Sequence, residues 1–285
     1  MERLHVQIGC YLALEHNYPT PLQFLIQPET QEQQVVVRQE QKITPNIPSE
    51  QIRDLFGNRY WRMLAPSGPL EVYYNAIVEL AHQADPVLPH LEKTPIEQLP
   101  GDVVSYLWPS RHCQSDLLAN QAWQLFGDIQ GGWRQAQAVC DWLHQNIEYR
   151  AGSSSITSSV EILEQGAGVC RDFAHLGISF CRALNMPARY VSGYLGDIDV
   201  EPVPIPMDFH AWFEVFLDGA WRTFDARHNI PRVGRVVVAT GRDAVDCAWL
   251  TSFGQSNITE LRVWADQIAS VQANNDNAIE RPLKV

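Results

Sequence analysis

The stretch Gly166-Ala-Gly-Val-Cys170-Arg-Asp-Phe173-Ala-His-Leu176-Gly177-Ile-Ser-Phe180-Cys-Arg-Ala-Leu184 decides how this chain is read. Phe173, Leu176, Gly177, Phe180 and Leu184 fall at i, i+3, i+4, i+7 and i+11, one face of a 3.6-residue period. The spacing predicts a buried helix that begins at Cys170, directly behind two glycines. A thiol in the first turn of such a helix lies among backbone N–H groups with no helical acceptor, at the positive end of the dipole. That field favours a thiolate over a thiol. The competing reading is an inert core cysteine.

Downstream, Pro187–Tyr194, His210–Leu217, Trp221–Ala226 and Arg235–Ala239 read as strands. Asp218-Gly219 is a two-residue hairpin signal, because both residues tolerate positive φ. Centring the turn there pairs Leu217 with Ala220, sets His210 opposite Arg227 and sets Asp225 opposite Trp212. His210 and Asp225 then share a face as diagonal neighbours, about 7–8 Å apart at the backbone and within reach of a hydrogen bond. With Cys170 they supply a nucleophile, a base and an orienting carboxylate. The N–H groups at the helix start, that of Cys170 included, supply an oxyanion site.

Between the first two strands lies Leu195–Phe209, a long loop carrying Asp197, Asp199, Glu201 and Asp208 with Pro202, Pro204 and Pro206. It is expected to rim a site and to favour cationic substrates. It lacks the Asp-x-Asp-x-Asp-Gly order of a calcium loop. Ile258–Ala265 alternates as one more strand, and Asn274–Val285 reads as frayed.

Upstream, Ser158 and Glu161 fit a capping box for a short helix over Val160–Glu164. Trp133–Tyr149 reads as a helix whose buried face includes Cys140, and an earlier helix capped by Asp116 runs to about Phe126. Pro86, Pro89, Pro95 and Pro100 mark a stiff linker. Before it, residues 4–85 read as short strands, among them Arg59–Leu64 and Leu70–Leu80 on either side of the turn Ala65–Pro69. His5, His16 and His82 are isolated there and read as structural or surface residues. The chain thus divides into a β-rich domain over 1–85, a linker over 86–100 and a catalytic domain over 101–285.

Composition sets outer limits. The net charge of −12 and pI near 5.1 argue against nucleic acid or an anionic membrane as the main partner. No apolar run is long enough to span a bilayer, and the N-terminus lacks a basic segment followed by an apolar core. Cys10, Cys113, Cys140, Cys170, Cys181 and Cys247 show no Cys-x-x-Cys pairing, so reduced thiols and a cytoplasmic location are expected. Gly166-x-Gly168 lacks the third glycine of a dinucleotide site, and neither a Gly-x-Ser-x-Gly elbow nor a phosphate-binding Gly-Lys-Ser/Thr loop occurs. No cofactor and no metal are expected. Asp172 reads as a first-turn helix stabiliser, His175 as pointing off the catalytic side, Cys181 as too far along the helix to bond Cys170, and Gln165 as a candidate oxyanion donor.

Gly166–His175, Pro187-Ala-Arg-Tyr-Val-Ser-Gly-Tyr194, Phe209-His210-Ala-Trp212-Phe-Glu214-Val and Trp221-Arg-Thr-Phe-Asp225 together resemble the transglutaminase-like superfamily, and within it the bacterial candidate cysteine proteases. The likeness covers roughly residues 100–245, with Gly241-Arg242-Asp243 continuing it, and the β-rich region resembles the domain that often precedes such cores. It implies an α+β, papain-like core in which a helix-end cysteine packs on an antiparallel sheet, and the spacing of the short strands before it suggests a β-sandwich-like domain or a small barrel. It implies acyl transfer from a peptide or amide, in a protein substrate or a smaller one, through a thioester. By motif position Cys170 is the nucleophile, His210 the base and Asp225 the third member. Family members commonly carry Asp-Pro where this chain has Asp225-Ala226, which leaves the triad intact. No calcium-loop signature like that of the animal crosslinking enzymes is present. A hydrolase is expected ahead of a protein crosslinker, and ahead of a binding module that keeps the fold without the chemistry.

Overall fold

A computed structural model of the chain describes residues 3–202 and 206–269. Pro204 and the Asn274–Val285 tail lie outside those residues.

The first strand, β1 (Arg3–His16), buries Leu4, Val6, Ile8, Cys10, Leu12 and Leu14, a period of two that sets one face against a core. It is followed by β2 (Thr20–Phe24), β3 (Gln34–Thr44), β4 (Ser49–Arg53), β5 (Arg59–Ala65) and β6 (Gly68–Ala81). β1 and β6 pair antiparallel from Arg3↔Ala81 to His16↔Gly68, with β3 on the far side of β6. β2, β5 and β4 form a second antiparallel sheet. The turn at Ala65–Pro69 therefore joins two sheets and closes no hairpin. Local alternation marks both strands, but it carries no information about which strand each one pairs with.

The segment 86–100 lies along the molecule. Leu91 is buried, Lys93 bridges Leu217, and the Lys93 ammonium donates to the Leu184 carbonyl at 3.0 Å.

Helix α1 (Ala119–Phe126) starts after Leu118 with no side-chain cap, and Asp116 stays exposed ahead of it. Helix α2 (Gly132–Asn146) buries Ala136, Val139, Cys140 and Leu143, and it ends earlier than its apolar period suggests. The cause is that Glu148-Tyr149 leaves as β7 (Glu148–Tyr149) to pair in parallel with β8 (Ala167–Gly168). Between them α3 (Ser159–Gln165) opens on a true capping box: Ser158 N–H donates to Glu161 Oε2 at 2.7 Å and Glu161 N–H to Ser158 Oγ at 3.5 Å. Gly166 closes α3 with φ 65°, in the left-handed region that glycine enters freely. The two-glycine turn is thus pinned to the end of α2 just before α4 (Cys170–Ala183) begins.

Helix α4 buries Phe173, Leu176 and Phe180 on the face the sequence indicates, with Leu184 buried just past its end. Each such side chain contributes about 1.5–3 kcal/mol. A Cβ on Gly177 would lie 2.6 Å from Phe213 Cε1, so glycine lets the helix rest directly on the sheet.

That sheet runs β11-β10-β9-β12, all antiparallel: β9 (Ala188–Leu195), β10 (His210–Leu217), β11 (Ala220–Phe224) and β12 (Arg235–Gly241). β10 and β11 pair with Leu217↔Ala220 through Phe213↔Phe224, the register expected from Asp218-Gly219, whose φ values are 45° and 74°. Last come β13 (Leu250–Ser252) and β14 (Asn257–Ile268). β13 joins the edge of β2, and β14 joins the edge of β1. Two strands within residues 101–285 thus lie in the sheets of the N-terminal region. Strand pairing over such sequence distances has no local signature.

Candidate active site

Cys170 is the first residue of α4 and is partly exposed, whereas Cys10, Cys113, Cys140, Cys181 and Cys247 are buried. Burial pushes the thiols of Cys10, Cys113 and Cys181 up to about 12 and holds Cys140 and Cys247 well above the ordinary range. Cys170 Sγ is 3.9 Å from the carbonyl oxygen of Phe209, the residue before His210, and its thiol is among the groups that raise the basicity of the His210 imidazole. The start of the helix is held by Asp172. Its Oδ2 accepts from Val169 N–H at 2.9 Å and from the Ser153 hydroxyl, and its Oδ1 faces Arg171 Nε at 3.2 Å. Asp172 is a helix-start anchor, as the sequence suggests.

His210 opens β10 and is paired across the sheet with Gly193 of β9. Its Nε2 lies 2.8 Å from Asp225 Oδ2. The β10–β11 ladder stops at Phe213↔Phe224, so a short turn completes the placement of Asp225. There Asn229 N–H donates to the Asp225 carbonyl at 2.8 Å and His228 N–H to its Oδ1 at 3.3 Å. With Nε2 on the carboxylate, Nδ1 is the ring nitrogen left for the sulfur. The structure brings Cys170, His210 and Asp225 together.

Electrostatics divide this cluster. Burial pushes His210 down, but the Asp225 charge and hydrogen bond and the contact with Cys170 outweigh it, so its basicity is raised. Burial pushes Asp225 up, but His210 and Arg235 hold it well below the usual carboxylate range. His228, whose ring lies 5.0 Å from that of His210, goes the other way. Burial, His210 and the guanidinium groups of Arg227 and Arg232 push it down to about 3 against the pull of Asp225. Arg232 Nη1 is 3.0 Å from His228 Nδ1, and Arg227 Nη1 is 3.2 Å from Nε2.

His210, Asp225 and His228 each present a ligand atom within 4.8 Å of the others, the right number for a metal. Three arginines abut the same atoms, however, so a cation there would meet like charge. The set is better suited to holding a proton on His210.

Other sequence candidates lie elsewhere. His175 is buried and stacked on His112 at 4.9 Å, and its Nε2 accepts from Ala244 N–H at 3.1 Å. Gln165 is exposed at the end of α3. Asp197 pairs with Arg232 at 3.2 Å, and the Asp199 carboxylate lies 2.8 Å from His82 Nε2, so both carboxylates already have partners within the chain. Tyr149 lies beneath the Arg227 guanidinium at 4.1 Å, and burial and the neighbouring Cys170 push its hydroxyl up.

Sequence reasoning missed Arg235 and Asp85. Arg235 forms an ion pair with Asp225 Oδ2 at 3.0 Å and with Asp85 Oδ2 at 2.8 Å. The available signal was a lone arginine at the head of the apolar run Val236-Val237-Val238-Ala239, a place where a charge needs a partner.

A known protein shares this fold. The model of the family described as the transglutaminase-like superfamily matches residues 124–226. The crystal structure at 1.9 Å of a candidate cysteine protease from Cytophaga hutchinsonii is 34% identical, with a TM-score of 0.87, and the match covers 98% of this chain and 95% of that one. An uncharacterized protein of Mycobacterium leprae is 33% identical over 115 residues, covering 39% of this chain and 41% of that protein. One from Mycobacterium tuberculosis is 35% identical over 117 residues, covering 36% of each. The match spans about two fifths of the length of these curated relatives. Among the described residues no helix is long and apolar enough to cross a membrane.

Proposed function

This chain belongs to the transglutaminase-like superfamily, and from that premise we propose that it is a cysteine-dependent amide hydrolase or acyltransferase working through a thioester. Its family and its likeness to a candidate cysteine protease support enzyme activity of the cysteine-protease kind on protein or peptide substrates. The observation that carries the finer reading is the buried 2.8 Å contact of His210 Nε2 with Asp225, on an imidazole that also meets the only partly exposed thiol among the six cysteines.

In this reading His210 Nδ1 takes the Cys170 proton, and Asp225 fixes the tautomer and stabilises the imidazolium. The Cys170 thiolate attacks the substrate carbonyl. N–H groups at the very start of α4, ahead of those of Asp172 and Phe173 that donate to the Val169 carbonyl, bind the oxyanion. His210 then protonates the leaving amine as the thioester forms, and a water deprotonated by His210 releases the acid. Transfer to an amine would use the same steps with the amine in place of water.

Alkylation by iodoacetamide tests the nucleophile without a known substrate, since the other five thiols are buried. An ordinary thiol is only about 0.3% ionised at about pH 6. Native protein is expected to label at Cys170 at least about tenfold faster than that fraction allows, and His210→Ala to lose the advantage. Labelling at the rate of an ordinary thiol would overturn the reading. Peptide and amine libraries would then separate hydrolysis from transfer.

A further inference from the structure

Asp225 is gripped from behind by a group that the triad does not include. Arg235, at the head of β12, has a side chain only 8% exposed, and its guanidinium spans two carboxylates. Nη2 meets Asp225 Oδ2 at 3.0 Å, the same oxygen that His210 holds, and Nε meets Asp85 Oδ2 at 2.8 Å. Its Cζ also sits over the Trp212 ring at 5.1 Å. Asp85 follows β6 and is itself fixed by the backbone of Arg232, donating from its N–H to the Arg232 carbonyl and accepting from Arg232 N–H, both at 3.0 Å. The third group beside Asp225 is His228, flanked by Arg227 and Arg232. Behind the network is a cavity of about 160 Å³ lined by Asp85, Asp225, Arg235, Trp133, Phe224 and Pro231.

We propose that Arg235 and Asp85 are positioning residues of the Cys170–His210–Asp225 centre, so that the segment leaving the N-terminal β-rich region completes the site. The proposal rests on Cys170 being the nucleophile. An arginine fork closes readily on a single carboxylate with two parallel bonds. Asp85 occupies Nε, so the Nε–Nη2 edge cannot close on Asp225 as a fork, and Nη2 alone meets the Oδ2 that His210 also holds. Without Asp85 the fork is free to close on Asp225 and compete with the imidazole. Without Arg235 a buried carboxylate loses one of its two cations, and burial drives it towards the neutral acid. Either change withdraws support from the imidazolium, and with it from the thiolate.

The test measures iodoacetamide alkylation of Cys170 from about pH 5 to about pH 9 in wild type, Asp225→Asn, Arg235→Ala, Arg235→Lys and Asp85→Asn, with thermal melts alongside. Arg235→Ala and Asp225→Asn are expected to label at least about tenfold slower than wild type near pH 6 and to approach it near pH 9, where any thiol ionises. Asp85→Asn is expected to lose about three- to tenfold, and Arg235→Lys, which cannot span both carboxylates, to fall between wild type and Arg235→Ala. Methylguanidinium entering beside the cavity should restore Arg235→Ala near pH 6 and leave Asp225→Asn unchanged. If Asp225→Asn is slow while Arg235→Ala and Asp85→Asn match wild type, the positioning role is overturned and the nucleophile stands. A loss that is equal at both ends of the pH range and deaf to methylguanidinium also overturns it. Wild type labelling as an ordinary thiol overturns both. Should Arg235→Ala melt below the assay temperature, Asp85→Asn, which keeps the side chain's shape but removes the charge that holds Nε, decides the matter.

Discussion

Two histidines five ångströms apart, His210 and His228, hold their protons in opposite ways because only one faces the carboxylate directly. His210 is raised by Asp225, so its contribution to stability is present at low pH and is lost as pH rises through its folded value. His228 takes its proton only near about 3, against 6.5 for an ordinary histidine. The unfolded chain therefore binds the extra proton, and stability falls as pH drops from about 6.5 towards about 3. Replacing His228 with Gln removes that titration and keeps an acceptor for Arg232. The variant is expected to lose less urea stability than wild type between about pH 7 and about pH 5, and equal losses would count against the assignment. At this scale the sequence marks Cys170 by a helix start and His210 by the strand it opens, whereas Asp225 lies just past the paired part of the hairpin and is held by the turn that follows. It is silent on Arg235 and Asp85, whose meeting brings together a strand and the segment just after β6, 150 positions apart.

The helix α4 and the hairpin β10–β11 are the elements that carry the site, and their contact is made through Gly177 and Phe213. Gly177→Ala should gain about 1 kcal/mol of helix propensity but displace the Phe213 ring at a cost of about 1–3 kcal/mol. The expected result is a lower melting temperature together with slower Cys170 labelling, since α4 must lift from the strand that begins at His210. A variant that is more stable and labels normally would show that the ring moves freely. The existence of both elements was legible from the apolar period and the Asp-Gly turn. The end of α2 was not, because the apolar spacing continues to Ile147 while the backbone after Asn146 turns away to pair with Gly168. Tertiary pairing overrode local preference there.

Across the molecule, the free edge of β12 is covered by two side-chain amides from the N-terminal region. Asn58 donates to the Thr240 carbonyl and accepts from Thr240 N–H, both at 2.9 Å, and Gln34 does the same at Val237, also at 2.9 Å. The Tyr194 hydroxyl adds a bond to the Ile26 carbonyl at 2.7 Å. Asn58→Ala leaves two part-buried backbone groups of Thr240 without partners, so a loss of about 1–3 kcal/mol is expected in urea unfolding. Far-UV circular dichroism and tryptophan fluorescence should fall in one transition, because β13 and β14 also tie the end of the chain to its beginning. Two separate transitions would show that the seam contributes little. By itself the sequence determined the buried helix behind two glycines and the hairpin register from Leu217↔Ala220 to Phe213↔Phe224, since each follows from spacing within a few turns or pairs of one segment. The expected pairs His210↔Arg227 and Asp225↔Trp212 do not form, and the turn after β11 places Asp225. Only the tertiary structure decided that β5 and β6 part into different sheets, that β14 returns to β1, and that Asp85 reaches Asp225 through Arg235. Those contacts join residues far apart in the chain, and a local period records which face of a segment is buried but never what it is buried against.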